Sequence, residues 1–188
     1  MNYELRKSDS LAAATGSFKQ NLEEVNLRWN KHIVKLGDLG PQIIGGINES
    51  ISKKNSDENK NIVKSSLAEF GKALGDMEKT NADMVDLMIE MEGLDFPLKS
   101  PKKILELCEE EENYYKRLQS IVSNLSKTFS FLDSEKTDRG LLINSLKSFE
   151  ATFLDLQSMI NRGLELTSYL EKELDKEHMK AKKYLGKV

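Results

Sequence analysis

The chain has 188 residues, 31% of them charged and 7% aromatic, with a net charge of −3 and a single cysteine. That length is one domain by the usual prior, and it is enough chain to bury a substantial core. The composition excludes a disulfide framework and argues against a β-rich fold; the small net negative charge, with Lys interspersed among Glu and Asp, argues against a nucleic-acid binder.

Residues 1–17 are small and polar and read as a frayed or separate helix. From Phe18 a clean stripe begins: Phe18, Leu22, Val25, Trp29, Ile33 and Leu36 recur at helical spacing. The segment Gly37-Asp38-Leu39-Gly40-Pro41 is expected to stop this helix, because Gly favours the position after a helix end and Pro cannot extend the preceding ladder. Residues 42–60 then read as a short helix around Gly45-Gly46 followed by a polar loop, so a linker is expected near 37–61.

The next three stretches carry apolar residues at alternating 4-and-3 spacing. One runs Val63, Leu67, Phe70, Leu74, Met77, Asn81, Met84, Met88, Met91; a second runs from Ile104 through Cys108, Glu111, Tyr115, Leu118, Val122 and Leu125 to Leu132. The third runs Leu142, Leu146, Phe149, Phe153, Leu156, Ile160, Gly163, Thr167, Leu170, Leu174. A period of about 3.5 residues keeps one narrow stripe against a partner helix along its whole length, and each such helix would span roughly 45–60 Å. Linkers are expected near 93–101 and 133–140, with Ser100 as N-cap and Pro101 at the first helical position of the third helix. The fold class that follows is all-α: an elongated antiparallel bundle of long heptad helices forming a single domain over 1–188.

Some seam positions break the pattern. Asn81 and Glu111 sit where apolar residues belong, and a polar seam residue ordinarily fixes register. Gly163 lies mid-helix, where Gly costs about 1 kcal/mol against Ala; a kink, a close helix approach and a ligand approach are its three readings. Cys108 reads as a small buried apolar residue, and the run Glu109 to Glu112 as a solvated face. His32 and His178 stand in separate helices, and no spaced set of metal ligands, P-loop, dinucleotide turn or activated nucleophile is recognisable. The expectation is a protein without enzymatic activity, metal or cofactor. No apolar run resembles a signal peptide or a membrane span, so the expected setting is cytoplasmic and reducing, and the two glycosylation sequons read as chance.

The last helix places Leu146, Phe153, Leu156, Gly163 and Leu170 at ungapped offsets, and an early helix carries Val25, Trp29 and His32. This pattern resembles the second half of the V-shaped domain of ALIX-type, Bro-domain-containing adaptor proteins. The resemblance implies an elongated helical arm of the endosomal-sorting (ESCRT) pathway that captures Tyr-Pro-x-Leu-like peptide motifs between its helices. It implies a groove lined by Val25, Trp29, Leu166 and Leu170, with Gly163 allowing close backbone approach. It also implies ubiquitin or ESCRT components as partners, and association with endosomes. The chain departs from the family pattern at Leu166, where an aromatic is expected, and at Leu22, where an acidic residue is expected. Ordinary seam packing is the other reading of the same residues. Two further functional readings stay open: a BAR-like dimer peripherally bound to curved membranes, and a coiled-coil spacer in a larger assembly.

Overall fold

A computed structural model describes residues 3–52, 56–93, 98–132 and 139–185. It contains four long helices: α1 (Tyr3–Ser52), α2 (Asp57–Glu92), α3 (Ser100–Ser130) and α4 (Arg139–Leu185), with no strand among the described residues. Each helix packs on the next and α1 packs on α4, which closes an antiparallel up-down-up-down bundle. At 1.5 Å per residue the 50 residues of α1 have a contour length of about 75 Å, so the molecule is elongated. Beyond the α2–α3 corner, α1 and α4 continue as a pair: Thr15 Oγ1 lies 3.0 Å from His178 Nδ1, and Ala181 is buried.

The structure corrects the reading of the first sixty residues. The helix does not stop at Gly37–Pro41, and no separate helix precedes Phe18; α1 is continuous from Tyr3 to Ser52. Of the linker expected near 37–61, residues 37–52 belong to α1 and 57–61 to α2, while 53–55 lie outside the described residues. The missing Pro41 N–H costs about 3 kcal/mol in a helix interior, but Pro41 is exposed, so water reaches the freed backbone. Continuing the helix buries Leu36, Leu39, Ile43 and Ile47 on one face, each contributing about 1.5–3 kcal/mol. Burial outweighs the local stop signal.

The glycines of this stretch serve packing. A Cβ on Gly40 would stand 2.5 Å from Phe153 Cε1, so Gly40 is where α4 comes closest to the α1 backbone at this level. Gly46 likewise accommodates the Val63 side chain of α2. No described residue has a positive φ, so none of these glycines acts through backbone freedom.

The helix ends elsewhere follow their caps. Ser56 accepts the Asn59 N–H at 3.2 Å, Asp57 and Glu58 follow in the first turn, and the Gly93 N–H closes α2 on the Ile89 carbonyl at 3.1 Å. At α3 the expected cap is corrected: Lys99 occupies the N-cap position, makes no side-chain cap bond, and Ser100 is already helical. The anion comes from another helix, for Glu173 Oε2 of α4 accepts the N–H groups of Lys99 (3.3 Å) and Ser100 (3.1 Å). Of the linkers expected near 93–101 and 133–140, residues 94–97 and 133–138 lie outside the described residues, between α2 and α3 and between α3 and α4.

The core divides into two apolar clusters along the bundle. The larger surrounds an aromatic trio in which Phe70 meets Phe149 and Phe153 edge-on at 5.1 and 5.6 Å. The smaller holds Leu22, Val25, Met88, Ile104, Cys108, Leu170 and Leu174. Substitutions at neighbouring positions should separate the buried stripe from its flank. Leu118→Asp and Phe153→Asp each put an unpaired charge into the core and should cost several kcal/mol in urea melts, whereas Leu154→Asp, at a side chain 63% exposed, should stay within about 0.5 kcal/mol.

Candidate functional site

Between the two clusters every helix contributes one atypical residue: Trp29 from α1, Asn81 from α2, Glu111 from α3 and Gly163 from α4. Asn81 Nδ2 donates to the Cys108 carbonyl at 2.9 Å, a buried bond that ties α2 to α3 at one register. Trp29 lies across Gly163: a Cβ there would collide with the indole Cη2 and stand 3.1 and 3.2 Å from Cζ3 and Cζ2. Gly163 is thus a socket for the chain's own ring. The space that the sequence reading left for a peptide is filled from within.

Glu111 is 1% exposed, the inward-facing member of a four-residue acidic run whose other three members are exposed. Its Oε2 accepts the Tyr115 hydroxyl at 2.7 Å, and its Oε1 has no hydrogen-bond partner among the described residues. The Trp29 ring and Glu111 line the same small cavity, so α1 and α3 meet in this layer. The cavity, about 10 Å³, is also lined by Asn81, Met84, Leu107 and Thr167, at the lower bound for one water.

Burial pushes the Glu111 carboxyl up from its ordinary 4.5 to about 7; the Tyr115 hydrogen bond opposes this and the charge of Glu110 adds to it. The same burial, assisted by Glu111, drives the Cys108 thiol up to about 12, so it is inert at neutral pH. Tyr115 is likewise shifted upward, by burial first and by Glu111 second. Among the described residues no three His, Cys, Asp or Glu side chains converge as a metal set.

Of the five candidate peptide-binding residues, four are interior. Val25, Trp29 and Leu170 are buried, and Gly163 backs onto the indole. Leu166 differs: it is half-buried and lines an outward groove between α3 and α4. That groove, about 430 Å³, is bordered by Tyr169, which is 59% exposed, and by Lys99 at the N-cap of α3 and Lys103 of α3 with Lys172 and Lys176 of α4. The sequence reading missed Tyr169 and the lysines. Their one-dimensional signal is the spacing Leu166, Tyr169, Lys172, Lys176, which marks a second face of α4 beside its heptad seam.

No protein-family model, curated protein or solved structure matches the chain. None of the described helices is long and apolar enough to cross a membrane.

Two predictions follow from the polar layer. Because the folded-state pKa of Glu111 is raised, its contribution to stability is fully present below pH 4.5 and is lost as pH rises through about 7, a decline of about 3 kcal/mol. His32, shifted down by burial, acts in the opposite sense, so the difference between wild type and Glu111→Gln is the informative quantity. Denaturant melts from pH 5 to about 8.5 should show the wild type losing stability relative to Glu111→Gln across that range. Gly163→Ala should destabilise by about 1–2 kcal/mol through overpacking against Trp29. In a Trp29→Ala background the same change should become neutral or stabilising, because only the helix-propensity gain remains.

Proposed function

We propose that the chain is a non-enzymatic adaptor module that captures a short peptide motif, anchored by an apolar or aromatic residue, in the groove between α3 and α4. One observation carries this reading. Leu166 and Tyr169 stand on the outer side of α4 over an open groove, while the stretch of α4 behind them is held by buried contacts of Leu170, Gly163 and Trp29. A rigid wall with an apolar floor suits capture of an extended segment, since little ordering cost falls on the protein side.

The Tyr-Pro-x-Leu class of motif, the endosomal-sorting setting, and ubiquitin or ESCRT components as partners come from the resemblance of Leu146, Phe153, Leu156, Gly163 and Leu170 to the ALIX-type pattern. Cytoplasmic, endosome-associated location belongs to the same proposal. The groove moves the binding surface one face outward from Val25, Trp29 and Leu170 and keeps Leu166. An inserted aromatic ring buries roughly 150–250 Å², which after ordering costs corresponds to a micromolar contact.

Fluorescence polarisation with a labelled Tyr-Pro-x-Leu peptide and a Tyr→Ala control tests this. The wild type should prefer the tyrosine peptide, and Leu166→Asp and Tyr169→Ala should each weaken binding about tenfold or more with unchanged helix content. Absence of binding at millimolar peptide, or equal binding of both peptides, refutes the reading.

A further inference from the structure

The α3–α4 groove is unusual in its charge. It holds four ammonium groups, Lys99 and Lys103 on one wall and Lys172 and Lys176 on the other. Its one lining carboxylate, Glu173, accepts the backbone N–H groups of Lys99 and Ser100, which leaves four ammonium groups against one carboxylate. None of the four lysines forms an ion pair among the described residues. Outside the groove, Lys19 is paired with Asp175 at 2.7 Å and Arg28 with Asp83 at 2.6 Å. The Lys172 ammonium lies over the Tyr169 ring, 5.5 Å from its centroid, which sets a positive charge beside the apolar floor.

We infer that the partner is an acidic peptide, with carboxylates flanking the apolar anchor that Leu166 and Tyr169 receive. This rests on the peptide-capturing reading above and specifies its ligand. The spacing suits it. Lysines four apart on a helix repeat about every 6 Å, close to the roughly 6.8 Å between alternate residues of an extended strand. Carboxylates at alternate positions of an extended peptide therefore meet successive lysines on one wall. A groove also receives a narrow chain between its walls, whereas a membrane surface would contact only the rims.

The opposite flank sharpens the choice. At the same end of the bundle, the α1–α2 face carries a shallow groove with four carboxylates, Glu24, Asp83, Asp86 and Glu90, against one cation, Arg28, which pairs with Asp83. An acidic segment is repelled there and directed to the α3–α4 side, although the chain as a whole is net negative.

The test uses the full chain and three labelled peptides with one shared tyrosine-containing anchor, flanked by acidic, neutral or basic residues. At about 50 mM NaCl the acidic peptide should bind about tenfold tighter than the neutral one, and at about 500 mM the two should converge to within about twofold. Lys172→Glu with Lys176→Glu, both exposed, should reverse the order of the acidic and basic peptides while thermal melts stay unchanged. Leu166-dependent binding that is equal for acidic and neutral peptides overturns this inference and leaves peptide capture standing. No binding by any of the three overturns peptide capture itself. Co-sedimentation with phosphatidylserine vesicles without peptide binding assigns the lysines to a membrane and overturns both.

Discussion

A long antiparallel bundle can slide: shifting one helix by a heptad presents much the same apolar stripe to its neighbours. What prevents this is a contact that cannot be repeated elsewhere along the seam. The single tryptophan of the chain fits against the one glycine on the α4 seam, and the fit excludes even a methyl group. Once Trp29 is seated, Val25 and Leu22 face Leu170 and Leu174 on one side, and Gly40 receives Phe153 on the other. Asn81 does the equivalent for α2 and α3 with a hydrogen bond instead of a shape. Register is therefore specified for the α1–α4 pair and for the α2–α3 pair in the same layer.

That layer is also where the core is weakest. It interrupts the apolar packing, houses the small cavity, and contains a carboxyl that is neutral only at the acid side of neutrality. Burying such a group without satisfying both oxygens is costly, and replacement by a well-packed apolar residue is often stabilising. The Tyr115–Glu111 hydrogen bond offsets part of the cost, and the Asn81–Cys108 bond adds direction that a hydrocarbon seam lacks. The two apolar clusters on either side supply the stability, and the polar layer supplies the uniqueness.

The all-helical class, the antiparallel order, and the positions of α2, α3 and α4 were legible because heptad spacing is a one-dimensional pattern that burial reads directly. Asn81 and Glu111 stood out for the same reason, as exceptions to a rule. The Gly37–Pro41 stretch misled because its local chemistry matches a helix stop, while the opposing force, burial of Leu36, Leu39, Ile43 and Ile47 against other helices, has no local signature beyond spacing. Gly163 was legible as a gap but not in what fills it, since only the pairing of α1 with α4 decides that Trp29 arrives there. The lysine-walled groove was out of reach for a similar reason: Lys99 and Lys172 are remote in sequence, and only the fold makes them facing walls.

The start of α1 and the end of α4 lie side by side at one end of the rod, joined across by Thr15 with His178, Lys19 with Asp175, and Asn26 with Glu171. Tension applied at those two ends loads the pair as a zipper, in which crosslinks carry the load one at a time, and not in shear, in which they would share it. The outer crosslinks are polar and partly solvated, so they part at low force. Peeling then meets the buried contacts of Phe18, Leu22 and Val25 with Leu170 and Leu174, and behind them the Trp29–Gly163 layer, where an indole ring must be withdrawn from its socket. The rod is mechanically compliant at its open end, where α1 and α4 run as a pair joined by polar crosslinks, and stiff where all four helices pack.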